Sequence, residues 1–134
     1  MFSLKKMIVG SGVDILEVDR MRDAIERWGD RLLKKIFTKN EIEYSRKRRN
    51  YAQHLAARFC AKEALSKAIG GGTGKHLRWT DVEILNDKNG KPQVNLFGPA
   101  KRLAQNEKIA RVMVSLSHTK GVACANAILV SDEK

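Results

Sequence analysis

Residues Arg58 to Gly70, RFCAKEALSKAIG, place charge where a helix should bury apolar surface. On a wheel at about 100° per residue, Ala52, Ala56, Phe59 and Cys60 form one apolar arc. Glu63 falls near the middle of that arc and Lys67 at its edge. An unpaired carboxylate there would cost on the order of several kcal/mol by desolvation, so Glu63 must be protonated, paired with a cation, or bound to a metal. A structural ion pair with Lys67, one turn along in the favourable Glu-to-Lys order, is the simplest account. A second acidic residue in the right setting would make the pair a site.

Outward from this stretch, Asn50 can cap the helix and Gly70 closes it, which makes it the long central element of the chain. Thr38 with Glu41 three residues later is a capping-box signature and opens a helix through about Arg49. That helix ends in the basic run Arg46, Lys47, Arg48, Arg49, favoured by the helix dipole and also a candidate anion site. Asp30 to Phe37 reads as a short helix. Residues 17 to 28 carry Val18, Met21, Ile25 and Trp28 at helical spacing, with Gly29 as a stop and Arg20 and Arg27 on the opposite, solvated face. Met7 to Ile15, MIVGSGVDI, is a β-branched strand with two glycines that runs into a turn.

Downstream, Gly70, Gly71, Gly72 and Gly74 form a connector. It is not a P-loop, because Ile69 and His76 occupy positions where that motif needs Gly and Ser or Thr. Val82 to Leu85 and Gln93 to Phe97 pair as a hairpin around residues 86 to 90. Gly98 to Lys108 is helical, and Arg111 to Ser117 with Val122 to Val130 form a second hairpin through His118 to Gly121. The order predicts an α+β domain with a mainly antiparallel sheet packed on the long central helix.

The 134 residues suit one domain with a core large enough to dispense with disulfides. Cys60 and Cys124 lack metal-ligand spacing and read as reduced core residues. No apolar run approaches the length of a membrane span, and MFSLKK lacks the features of a secretory signal, so the expected location is cytoplasmic and away from any membrane. The net charge of +11 points to an anionic partner. Nucleic acid is disfavoured: the eight aromatics are scattered without a stacking pattern, and carboxylates oppose phosphate unless a metal intervenes.

Asp14, at a strand end beside glycines, is that second acid. Were Asp14 and Glu63 to meet, the two carboxylates would repel unless a cation lay between them, and hard oxygen ligands with open positions suit Mg²⁺ bound partly by a substrate phosphate. Lys62, Lys67 and the 46 to 49 run would then supply counter-charge for phosphoryl transfer.

Four motifs, GxGxDI at Gly10 to Ile15, RFxxKEAxxKA at Arg58 to Ala68, NGKP at Asn89 to Pro92 and SLSHT at Ser115 to Thr119, occur in this order. Together they resemble holo-[acyl-carrier-protein] synthase, the small bacterial type of 4′-phosphopantetheinyl transferase, over about Met7 to Val130. The resemblance implies a single transferase domain over residues 7 to 134. Residues 1 to 6 are then an N-terminal extension or a cloning remnant. It implies Mg²⁺-dependent transfer of phosphopantetheine from coenzyme A to a serine of acidic apo-acyl carrier protein, releasing adenosine 3′,5′-bisphosphate, for fatty acid biosynthesis. Asp14 and Glu63 match the family's metal-binding acids, with Lys67 stabilising charge on the transferred group; a water on the metal or Glu63 itself takes the serine proton. The family's coenzyme A cleft lies between subunits of a homotrimer. Lys47, Arg48, Arg58, Lys62, Gly70, Pro92, His118 and Thr119 are its candidate contacts here. Arg20 matches a position where the family docks the carrier protein, and Arg27 shares its ridge.

Overall fold

The computed structural model describes residues 5–70 and 77–133, and the backbone alone at Lys5, Lys6, Asp132 and Glu133. The glycine connector therefore falls, beyond Gly70, outside the described residues. The chain opens with β1 (Lys5–Glu17), which passes directly into α1 (Val18–Ile36) without the expected turn. Val18 anchors the junction by donating its N–H to Gly121 O at 2.9 Å. The two helices expected over residues 17 to 37 are halves of α1, broken at Gly29 (φ 58°, ψ −141°). That backbone conformation is open to glycine and strained for other residues, so the break sits where the sequence permits it.

Helix α2 (Lys39–Arg46) begins with the expected capping box: Glu41 N–H donates to Thr38 Oγ1 at 3.3 Å, and Thr38 N–H to Glu41 Oε1 at 2.9 Å. It stops before Lys47, leaving most of the basic run beyond its end. Helix α3 (Tyr51–Ile69) follows; Asn50 holds the N-cap position without a side-chain cap bond, and Gly70 (φ 94°) ends the helix with its N–H on Ser66 O. A 3₁₀ turn at Trp79–Asp81 leads to the hairpin β2 (Val82–Asn86) and β3 (Pro92–Leu96), then to α4 (Gly98–Asn106) and the hairpin β4 (Ile109–His118) and β5 (Val122–Glu133).

Among the described residues, the strands pair antiparallel in two sheets instead of one: β1-β5-β4 and β2-β3. The inner face of the larger sheet is built from small residues. Ala123, Ala125 and Ala127 alternate along β5 and are buried against α3, whose Ala56, Ala57, Cys60, Ala61 and Ala64 are buried in turn. Small side chains on both surfaces bring helix and sheet close, and that close packing sets the geometry of the site. Bulkier apolar residues, among them Val18, Leu33, Phe37, Leu55, Leu65 and Ile84, complete the same core. Among the described residues, no helix is long and apolar enough to cross a membrane.

Candidate active site

Where β1 crosses α3 no side chain separates the two backbones. A Cβ built on Gly10 would lie 2.3 Å from Ala68 O, and one on Gly12 would lie 2.0 Å from Ala64 O. Two residues along a strand advance about 6.6 Å and four along a helix about 6 Å, so the two elements run in step. After Gly10 on Ala68 and Gly12 on Ala64, the next match is Asp14 on Cys60, with Glu63 one turn from Cys60.

The Cys60 thiol reports this convergence. Its Sγ donates to Ala123 O at 3.6 Å, and its pKa is pushed up to about 12, first by burial, then by the charge and hydrogen bond of Asp14, with Cys124 and Glu63 adding. Both carboxylates therefore bear on one buried thiol. Lys67 completes the corner by donating its Nζ to Asp14 Oδ1 and to Val13 O, each at 3.0 Å. The Asp14 side chain is 17% exposed and that of Lys67 52%, so acid and base sit at the mouth of the helix–strand contact. Lys67, expected to pair along its own helix, reaches across to the strand.

Among the described residues, no group of three or more His, Cys, Asp and Glu side chains gathers to hold a metal. Two carboxylates alone do not make a closed cage. They fit Mg²⁺, which keeps waters and takes substrate phosphate oxygens in its remaining positions.

A second feature is a cleft of about 490 Å³ between the hairpin β2-β3, β4 and the α2–α3 corner. Gly90, Lys91, Pro92, Arg111 and His118 line it together with Tyr44 and His54. Among the described residues, its charged lining side chains are cations and no Asp or Glu lines it. Pro92 and His118 thus occupy one cavity, as a shared ligand requires. Arg48 borders this region: its guanidinium lies 3.4 Å from the centroid of the Tyr44 ring and donates to Tyr44 O.

Two expected ligand contacts are spent inside the fold. The Lys62 side chain is 1% exposed, and its ammonium donates to Glu41 Oε1 (2.7 Å), Ile36 O (2.8 Å) and Trp79 O (2.9 Å). Burial pushes the Lys62 pKa down and that of Glu41 up, while their mutual attraction opposes both shifts. With every ammonium hydrogen used, Lys62 has none left for a phosphate. Arg58 is likewise buried, donating to Ile84 O, His54 O and Asn86 Oδ1. Thr119 is committed to its own turn, its Oγ1 accepting from Gly121 and Val122 N–H. Lys47 and Gly70 are exposed at the ends of α2 and α3. Arg20 and Arg27 are exposed on α1 and border a shallow groove with Asp23, Glu26 and Trp28. Trp28, expected on the buried stripe, is 56% exposed because α1 breaks at the next residue.

Sequence reasoning missed Tyr44, Gln53, His54 and Arg111. His54 contacts Tyr44 and His118 edge to face, at 5.9 and 4.9 Å between centroids, and Gln53 accepts from His118. Arg111 was visible only as a charge opening a strand, and nothing local tied the others to a residue more than sixty positions away.

The chain thus carries an acid corner on β1 and α3 and, lined by other residues, a cleft with cations; the model of the 4′-phosphopantetheinyl transferase superfamily matches residues 10–125. The chain belongs to this superfamily and, within it, to the holo-[acyl-carrier-protein] synthase family. It is 45% identical to the holo-[acyl-carrier-protein] synthase of Solibacter usitatus over 92% of this chain and 98% of that protein. Its identity to the one from Ruminiclostridium cellulolyticum is 50%, over 88% and 89%. The crystal structure of a holo-(acyl-carrier-protein) synthase from Bacillus anthracis in complex with CoA (3′,5′-ADP) superposes with a TM-score of 0.77 at 32% identity, covering 96% of this chain and 99% of that one.

Proposed function

We propose that this protein moves the 4′-phosphopantetheine group of coenzyme A onto a serine of apo-acyl carrier protein, with Mg²⁺ held between Asp14 and Glu63. The observation that carries the reading is the approach of Asp14 to α3, where its carboxylate meets Lys67 at 3.0 Å beside the glycine contacts of β1 with the helix that also carries Glu63. Similarity to holo-[acyl-carrier-protein] synthases over most of the chain supports the choice of donor and acceptor.

The serine oxygen attacks the β-phosphorus of the coenzyme A pyrophosphate. The bond from that phosphorus to the bridging oxygen breaks, and adenosine 3′,5′-bisphosphate departs with the bonding pair. Mg²⁺, when bound, neutralises charge on the pyrophosphate oxygens. Lys67, already within 3.0 Å of Asp14, stands beside the same corner to stabilise charge as the bisphosphate leaves. Glu63, one turn from Lys67 on α3, or a water on the metal receives the serine proton. The cation-lined cleft holding Pro92 and His118 takes the nucleotide end, with Arg48 at its border. Exposed Lys47 and Gly70 remain candidates for its outer contacts.

Exposed Arg20 and Arg27 meet the acidic carrier protein and steer its approach. Arg20→Ala is expected to raise KM for the carrier and leave that for coenzyme A unchanged; equal effects on both would remove the docking role. The reading as a whole is tested by incubating the protein with apo-carrier protein and either coenzyme A or ATP. One phosphopantetheine per carrier, from coenzyme A alone, is the expected gain in mass. An unmodified carrier after incubation with folded protein, Mg²⁺ and coenzyme A would overturn it. The product serves fatty acid biosynthesis, which predicts that depletion of this protein leaves the cellular carrier in its apo form.

A further inference from the structure

His118, at the end of β4, meets α3 through two neighbouring side chains. The buried Gln53 lies 3.0 Å from His118 Nδ1 through its Oε1, and the ring of His54 packs edge-on at 4.9 Å and 69°. An amide oxygen can only accept, so Nδ1 donates its proton to Gln53 and Nε2 is the nitrogen left for a ligand in the cleft. We propose that Gln53 is a positioning residue: by fixing the tautomer and orientation of His118, it presents Nε2 to the terminal 3′-phosphate of coenzyme A. This rests on the reading that the cleft takes the nucleotide.

The surroundings agree with that assignment. His118 shares its cleft with Arg111 from its own strand and Lys91 from the β2-β3 hairpin. From α3 it faces His54, with Arg58 behind; from the α2 side come Tyr44 and Arg48. His54 is pushed down to about 4, first by burial, then by His118, Arg58 and Arg48, so it stays neutral and does not compete for the proton. A phosphate oxygen accepts, so Nε2 must bear a proton where it meets the 3′-phosphate, and Gln53 on Nδ1 leaves that nitrogen free to carry it. Gln53 is neutral; a carboxylate in its place would favour the doubly protonated ring.

The test compares coenzyme A with dephospho-coenzyme A, as ligands and as donors, over about pH 5.5 to 8.5. Wild type is expected to favour coenzyme A, with the preference falling as pH rises. Gln53→Leu should cut the preference about ten-fold with little change toward dephospho-coenzyme A. Gln53→Glu should carry the preference about one pH unit higher, because a facing carboxylate favours the imidazolium. A wild-type preference in folded Gln53→Leu, or an unshifted profile in folded Gln53→Glu, overturns the proposal. So does an Nε2–H tautomer of His118 in nitrogen-15 spectra of the native protein, which needs no variant. Loss of transfer from both donors in wild type would instead sink the functional reading itself.

Discussion

At Gly12 one methyl group stands between the observed site and a displaced one. The added Cβ of Gly12→Ala would meet Ala64 O at 2.0 Å, and a helix backbone cannot turn aside as a side chain can. Overpacking of this kind costs about 1–3 kcal/mol. The strand must move away from α3, taking Asp14 with it. Gly12→Ala should therefore lower turnover well beyond its effect on Tm. A variant with native turnover would show that the close approach is not what sets the site. Asp14 and Glu63 were legible in the sequence as acids in unsuitable company, one among glycines and the other on an apolar arc. What brings them together was not, because a glycine states what the backbone is permitted and not which carbonyl lies opposite.

Among the elements, the helices and hairpins were legible because their periodicities differ and their ends carry caps, as Thr38 with Glu41 illustrates. Helix α3 resisted the same reading. Leu55, Ala57, Arg58, Ala61, Lys62 and Leu65 are buried alongside the expected arc, so its periodicity cannot tell a buried face from a wet one. Lys62 and Arg58 consequently looked like ligands for phosphate. Two of their partners, Glu41 for Lys62 and Ile84 O for Arg58, lie more than twenty residues away and no local pattern announces them. Lys62→Ala would strand the buried Glu41 carboxylate, and losing one member of such a pair costs about 3–5 kcal/mol. A large fall in Tm is expected, with KM for coenzyme A in the folded fraction near native. A stable variant with weakened coenzyme A binding would restore Lys62 to the ligand site.

On the scale of the whole molecule, the outer face of the β1-β5-β4 sheet carries exposed Ile8, Val13, Ile15 and Met113. Val13 lies opposite Asn126 and Ile15 opposite Cys124, so these side chains share one surface across the strands. An apolar sheet face of this kind is suited to other copies of the chain, and we propose the homotrimer as its use. Ile15→Lys should convert a trimer to monomers in sedimentation and lower activity with them; a wild type that sediments as a monomer would remove the proposal. Asp14, with its side chain on the inner face of the same strand, joins assembly to chemistry. The most direct measurement is the intact mass of apo-acyl carrier protein after reaction with coenzyme A and wild type, wild type with EDTA, or Glu63→Gln. The expected result is one phosphopantetheine added by wild type with Mg²⁺, none with EDTA, and a rate about 10²–10³-fold lower for a folded Glu63→Gln. Equal transfer in all three would contradict a metal held between Asp14 and Glu63.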